Sequence, residues 1–255
     1  MTLKINKLYL TQNDCYKAGR KITPSGIVVH STGANNPNLC RYVNPDDGVL
    51  GKNKYNNHWN RSGLSKCVHA FIGKAADGTV MVYQTLPWDY RAWGVGSGTK
   101  GSYNNSHIQF EICEDNLTNA SYYKKAFEVA AELCAYLCKL YNLPASSVVG
   151  HYEAHAAGYG NNHGDPKNWQ KKHDDSMDAF RVRVAGLIAG VKVETQQTEK
   201  AESASSTYTV QKGDSLWQIA AKHLGNGSKY KLIQSANGLT DTKILSGQKL
   251  KIPKG

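Results

Sequence analysis

After Val193 the chain reads Glu-Thr-Gln-Gln-Thr-Glu-Lys-Ala-Glu-Ser-Ala-Ser-Ser up to Ser206, without apolar periodicity. A segment of this composition buries too little apolar surface to offset the entropy of ordering it, and it behaves as a solvated tether. Folding must therefore happen on either side of it. The 255-residue chain divides into a first domain over residues 1–190, a linker over 191–206 and a second domain over 207–255. With 40% hydrophobic and 20% charged residues, both pieces suit globular folding. No apolar run approaches the roughly 20 residues of a membrane helix, so no membrane insertion is expected.

In the first domain, residues 26–32, 67–73, 79–84, 107–113 and 148–151 are short β-branched or apolar runs bounded by Gly, Pro, Asp or Asn, and read as strands. Asp77-Gly78 between the second and third marks a hairpin. Apolar residues at helical spacing, from Tyr123 through Phe127, Ala130, Leu133, Cys134 and Leu137 to Tyr141, predict a helix over 121–141 that stops before Pro144. A second helix is predicted from Asp175 as N-cap through Met177, Phe180, Val184, Leu187 and Ile188. Strands mixed with helices make an α/β domain, a central sheet flanked by helices.

Six cysteines stand at irregular spacing without a C-x-x-C pair, which reads as reduced, mostly core residues. The first ten residues interleave lysine and asparagine with apolar residues and never build the apolar stretch of a secretory signal. The expectation is a chain that stays cytoplasmic until something releases it. Of the net charge of +11, residues 207–255 contribute +6, eight Lys against two Asp. Such a dense basic piece seeks an anionic polymer. Helix-turn-helix signatures and aromatic single-strand platforms are not evident, so nucleic acid is set aside as a partner.

Two histidines fall at the ends of apolar runs, His30 after Gly26-Ile-Val-Val and His151 after Val148-Val-Gly, and Asp165 opens Asp165-Pro-Lys-Asn-Trp. His, His and Asp would make a three-ligand zinc site with an open fourth position, the arrangement that activates water. Spacing alone leaves open that these are polar residues satisfied at strand ends. Glu111 alternates with Ile108, Phe110 and Ile112, so a strand there turns its carboxylate away from the apolar face. The segment His151-Tyr-Glu-Ala-His155 lacks the Glu directly after the first His that a zinc-protease helix requires. His69 and His107 read as strand residues with hydrogen-bonding roles, and His58, His173 and His223 as surface residues. The glycine-rich residues 94–101 lack the Lys-Ser/Thr of a phosphate loop. They read as a groove wall, with Trp88, Trp93 and residues 56–60 supplying aromatic and amide surface for a sugar or peptide.

Ile27-Val-Val-His-Ser-Thr-Gly, Asp77-Gly-Thr-Val, Arg91-Ala-Trp, Asn105-Ser-His-Ile-Gln-Phe-Glu-Ile-Cys and Val149-Gly-His with Asp165-Pro occur in this order. Over residues 20–185 the chain resembles the type-2 N-acetylmuramoyl-L-alanine amidases, which include phage endolysins and resemble peptidoglycan recognition proteins. The resemblance implies a zinc enzyme with His30, His151 and Asp165 as ligands and Glu111 as general base, cutting the amide between N-acetylmuramic acid and L-alanine. Two departures stand out. His163 occupies the place of a frequent lysine that stabilises the oxyanion or protonates the leaving nitrogen, and imidazolium serves that role only while it holds its proton. The interval between His151 and Asp165 is long, leaving His155 or His163 as alternative ligands. The family also often has a histidine where Gly94 stands.

Residues 208–253 begin Tyr-Thr-Val-Gln-Lys-Gly-Asp-Ser-Leu-Trp-Gln-Ile-Ala and end Leu-Ser-Gly-Gln-Lys-Leu-Lys-Ile-Pro, which is similar to a LysM domain. This implies a small βααβ fold whose groove, formed by Gly213, Asp214, Ser215, Leu216 and the segment from Asn237 to Leu245, binds N-acetylglucosamine-containing glycan. The combined expectation is a peptidoglycan amidase held on the wall by LysM, as a phage or prophage endolysin or a bacterial autolysin. The alternatives are a non-catalytic peptidoglycan recognition protein and a peptidase acting inside the stem peptide.

Overall fold

A computed structural model describes residues 3–43, 48–190, 206–211, 213–237, 239 and 241–252. The chain separates into two compact units, 1–193 and 194–255. The linker expected over 191–206 lies, up to residue 205, outside the described residues.

The first unit is built on a six-stranded mixed sheet. Its strands are β1 (Ile5–Lys7), β2 (Gly26–Ser31), β3 (Ala70–Lys74), β4 (Val80–Gln84), β5 (His107–Ile112) and β6 (Val148–Gly150), in the order β1-β4-β3-β5-β2-β6. Only the β3–β4 pair, the expected Asp77-Gly78 hairpin, is antiparallel. The helices are α1 (Asp14–Ala18), α2 (Ala120–Tyr141), α3 (His151–Ala156), α4 (Lys167–Gln170) and α5 (Met177–Ile188). β1, with its lysine and asparagine, gives no strand signal by itself and forms through parallel pairing with β4.

Strand parity divides the sheet into two chemistries, because alternate side chains point to opposite faces. Ile27 and Val29 of β2, Ile108, Phe110 and Ile112 of β5, Ala70 and Ile72 of β3, Val82 and Val148 all join one core with α2 and α5. The intervening positions Val28, His30, Gln109 and Glu111 lie on the other face, paired Val28 with Gln109 and His30 with Glu111. α2 covers the apolar face because Phe127, Ala130, Leu133, Cys134 and Leu137 form one buried stripe. Its ends are set locally, by the Asn119 side chain accepting from Tyr122 N–H at 3.0 Å and by the left-handed Asn142, φ 53°.

Three expectations are corrected. Ser176, not Asp175, caps α5, its Oγ accepting from Ala179 N–H at 3.2 Å. Asp175 is taken instead by Arg183, at 3.1 and 2.6 Å, and by the Tyr123 hydroxyl at 2.7 Å. Cys15 and Cys67 are not reduced but form a disulfide, because α1 docks beside the segment entering β3 and brings Cα atoms 52 residues apart to 6.4 Å. Cys113, Cys134 and Cys138 are free and buried, as expected. His58 is buried at the surface loop, between Asn56 Oδ1 at 2.9 Å and the Asn60 N–H at 3.1 Å, and His173 is half-buried, stacked on Tyr123.

In the second unit β7 (Ser206–Thr209) and β8 (Lys249–Ile252) pair antiparallel and enclose α6 (Leu216–Leu224) and α7 (Tyr230–Ala236). Val210, Leu216, Ile219, Ala220, Ile233, Leu250 and Ile252 make its core. Among the described residues no helix is long and apolar enough to cross a membrane.

Phe127 is buried where α2 meets Trp169 and Phe180. Phe127→Ala is expected to cost about 3–5 kcal/mol of unfolding free energy, read from the midpoint of a denaturant titration.

Candidate metal centre and cleft

β2 delivers His30 from its penultimate position, 2% exposed, and β6 hands the chain to α3 at His151, also 2% exposed. His151 thus opens a helix instead of closing a strand. Asp165 stands between the two rings: its Oδ2 is 3.2 Å from His30 Nδ1 and its Oδ1 is 3.3 Å from His151 Nδ1. One ligand atom from each of the three can be chosen so that all lie within 4.8 Å of one another, the one such group of His, Cys, Asp or Glu among the described residues.

The donor set fits a divalent cation. His30 Nε2 lies 3.1 Å from Gln109 Oε1 and His151 Nε2 lies 2.9 Å from Asn161 Oδ1. With each Nε2 proton given to an amide oxygen, both Nδ1 lone pairs face the Asp165 carboxylate, an arrangement that calls for positive charge at their centre. Two imidazoles and a carboxylate suit zinc and leave its fourth position to water or substrate. Burial lowers the His30 pKa and so favours the neutral imidazole. For His151 burial again acts downward, but Asp165 and Asn161 outweigh it and raise the value. Burial by itself would lift the Asp165 carboxyl, yet the His151 and His30 rings beside it, whenever they are protonated toward it, hold it far below the usual range.

Glu111 faces this group across the β2–β5 register. Its Oε2 is buried without a hydrogen-bond partner. Burial, then the charges of Asp165 and Glu114, push its pKa well above the ordinary value, with Lys66 opposing. A cation among the ligands would act in the sense of Lys66. Together these residues line a cleft of about 450 Å³ that also takes in Trp59, Lys66, Trp93, Gly94, Glu114, His163 and Asn168.

Not every residue singled out from sequence reaches this cleft. His163 does, at its rim: it is 56% exposed, its ring stacks on His151 at 4.7 Å between centroids, and its Nδ1 stands 3.8 Å from Asp165 Oδ1. His155 does not, since it lies in a separate hollow with Ser97, Thr99 and Asn162, its Nδ1 3.2 Å from the Gly160 carbonyl. Glu153 is structural, accepting from Gly150 N–H and pairing with Arg181. Trp59 and Trp93 form cleft wall, whereas Trp88 stacks on His69 and lines a different hollow. His69 is fully buried between Tyr90 O and Gln109 N–H, and burial pushes its pKa down to about 4. The sequence reading missed Lys66, Glu114 and Asn168. Glu114 was the most accessible of these to inference, because it lies three residues beyond Glu111 on the same segment.

In the second unit the positions named for glycan binding hold the turn itself. Asp214 accepts from Gln211 N–H at 2.8 Å and the Tyr208 hydroxyl at 2.7 Å, Ser215 caps α6, Leu216 is 1% exposed, and Gly213 takes φ 94°. The Asn237 amide joins α7 to β8 through Ile233 O, Lys251 O and Lys251 N–H, each at 2.8 Å.

Comparison with known proteins matches residues 19–168 to the N-acetylmuramoyl-L-alanine amidase family model and residues 208–253 to the LysM domain. The amidase XlyB of Bacillus subtilis (strain 168) is 30% identical over 178 residues, 68% of this chain and 50% of XlyB. The amidase sle1 of Staphylococcus epidermidis is 45% identical over 78 residues, 29% of this chain and 22% of sle1. The chain thus spans half, or less, of the length of these relatives. Among solved structures, the Staphylococcus aureus hydrolase AmiA superposes with a TM-score of 0.52 at 23% identity, covering 75% of this chain and 88% of AmiA. A mutant of PlyL gives 0.51 at 20% identity, covering 71% and 98%. At these identities the likeness shows the fold.

Glu111→Gln keeps the shape of the side chain and removes a charge that the metal-free fold must bury. Because the folded-state pKa of Glu111 lies above its unfolded value, its ionisation destabilises the fold increasingly as pH rises above about 4.5. In chelator-treated protein the variant should melt a few degrees above wild type at pH 8, at roughly 2–4 °C per kcal/mol, and the gap should close toward pH 4. A variant that melts lower at pH 8 would contradict the burial cost assigned to this carboxylate.

Proposed function

The chain belongs to the N-acetylmuramoyl-L-alanine amidase family and carries a LysM domain, and from that premise we propose that it hydrolyses the amide between N-acetylmuramic acid and L-alanine in peptidoglycan, with zinc held by His30, His151 and Asp165. The observation that carries this reading is the convergence of those three ligand atoms beside an unpartnered carboxylate oxygen of Glu111.

Zinc in this donor set would supply a Lewis acid and a water acidic enough to lose its proton near neutral pH. Glu111 is the group that takes that proton, at Oε2, since no other hydrogen bond claims the atom. It then carries the proton toward the leaving nitrogen, so that L-alanine departs as an amine. His163 stands at the open side of the ligand group, and its imidazole is the donor for negative charge on the attacked carbonyl oxygen. Trp93 and Trp59 offer flat apolar surface to a sugar or peptide on the cleft wall, and Lys66 pairs with substrate carboxylates. A purely recognising protein needs neither the ligand triad nor a carboxylate buried at a cost in stability, which favours the enzyme.

The LysM unit would hold the enzyme on N-acetylglucosamine-containing glycan. Since the Asp214, Ser215 and Asn237 side chains serve internal bonds, glycan contacts there would come mainly from backbone. Its +6 charge adds attraction to an anionic wall.

Two outcomes test the division of labour. Digestion of purified peptidoglycan should release chains with free lactyl carboxylates and new L-alanine amino termini by mass spectrometry, abolished by chelator and restored by zinc. His30→Ala should lose at least about 10³-fold in rate, and cuts at any other bond would replace the assignment. Removing residues 195–255 should leave turnover of a small soluble muropeptide within about twofold but slow lysis of whole cells by tenfold or more, as loss of tethering predicts. Equal losses on both substrates would refute the tether.

A further inference from the structure

The Nε2 side of His30 is closed by a chain of buried amides whose direction can be read from one end. Asn104 Oδ1 lies 3.1 Å from the backbone N–H of both Gly94 and Val95, and backbone N–H groups only donate. That atom is therefore the oxygen, and Asn104 Nδ2 donates to the Gly96 carbonyl at 3.2 Å. The Gln109 group 2.8 Å from Asn104 Oδ1 must then be its Nε2, which leaves Gln109 Oε1 facing His30 Nε2 at 3.1 Å. An amide oxygen only accepts, so His30 must carry a proton on Nε2, and as the neutral imidazole it presents the Nδ1 lone pair to Asp165, 3.2 Å away. Asn104, Gln109 and His30 are 6%, 0% and 2% exposed, so water does not offer an alternative partner.

The same loop explains a departure from the family. A Cβ on Gly94 would stand 2.5 Å from Gln109 Oε1 and 3.1 Å from Val68 Cγ1, so any side chain at 94 displaces the amide that holds His30. The other ligand is tied to this loop too: Asn161 N–H donates to the Val95 carbonyl at 3.0 Å while Asn161 Oδ1 meets His151 Nε2.

We propose that the Gly94–Val95 backbone, Asn104 and Gln109 form a polar relay that fixes His30 as an Nδ1 ligand, with Gln109 as its positioning residue and Gly94 kept as glycine to make room for it. The proposal rests on the metal reading above. A buried partner that fixes the tautomer and orientation of a ligand histidine is worth roughly 10–100-fold in metal affinity.

Its test is made on the full chain, by zinc affinity from competition with a chromogenic chelator and by long-range ¹⁵N–¹H correlation of the imidazoles. In wild type the His30 proton is expected on Nε2, with a slowly exchanging resonance, both in metal-free protein at pH 8 and after zinc is added. Gln109→Leu and Gly94→Ala should weaken zinc binding 10–100-fold and lose that resonance. Asn104→Leu, which removes the accepting oxygen, should follow Gln109→Leu. A neutral His30 that carries its proton on Nδ1 and none on Nε2 in the wild-type chain overturns the relay even if no variant folds. So does Gln109→Leu that binds zinc as wild type does. Failure of the wild-type chain to bind zinc at all would instead remove the metal reading itself, and this proposal with it.

Discussion

The register between β2 and β5 is the constraint from which the rest follows. The two strands run parallel with Ile27 beside Ile108, Val28 beside Gln109, Val29 beside Phe110 and His30 beside Glu111. A slip of β2 by one residue would exchange its side chains between faces, bringing His30 into the α2 core and Val29 into the cleft, so that His30 no longer stood beside Glu111. Burial of Val29, Phe110 and their neighbours against α2, at about 1.5–3 kcal/mol per large side chain, therefore also sets the positions of His30 and Glu111. The core is the device that aligns His30 with Glu111.

That alignment has a cost which the local chemistry shows. Glu111 and Glu114 share one cleft with Asp165, and burial together with the charge of Asp165 raises the pKa of both glutamates. An unpartnered buried carboxylate oxygen is unfavourable in a fold selected for stability alone. Its persistence is understandable where a cation and a substrate complete the site, because the like charges that destabilise the metal-free protein would attract a divalent ion. Ser31 Oγ, 2.5 Å from Glu114 Oε1, eases one of the two carboxylates and leaves Glu111 open to take a proton.

The second unit solves a different problem with few residues. A small body with one modest core (Leu216, Ile219, Ile233, Leu250 and Ile252 at its centre) spends its polar side chains on its own turns and caps. Asp214 locks the entry turn, Ser215 with Gln218 forms a capping box, and Asn237 ties helix to strand. Motif residues that look like ligand contacts are thus first of all the scaffold of the unit itself, and residues 207–255 carry eight lysines against two aspartates.

The sequence by itself determined the elements with strong periodicity and local punctuation: α2 to within a residue at its start, the Asp77-Gly78 hairpin and the two-layer parity that turned Glu111 away from the core. These depend on spacing within a short window, which a chain carries wherever it folds. It also pointed to His30, His151 and Asp165 through a family resemblance, though spacing alone left their roles open. Tertiary structure decided what involves partners far apart in sequence. Arg183 drew Asp175 away from capping α5, the docking of α1 joined Cys15 to Cys67, and β1 became a strand only against β4. Asp165 came to lie beside His30 and His151, whereas His155 lines a separate hollow. The amide chain behind His30 links positions 30, 94, 104 and 109, and no local pattern encodes it, because a hydrogen bond between distant residues depends on distances that only the packed sheet sets.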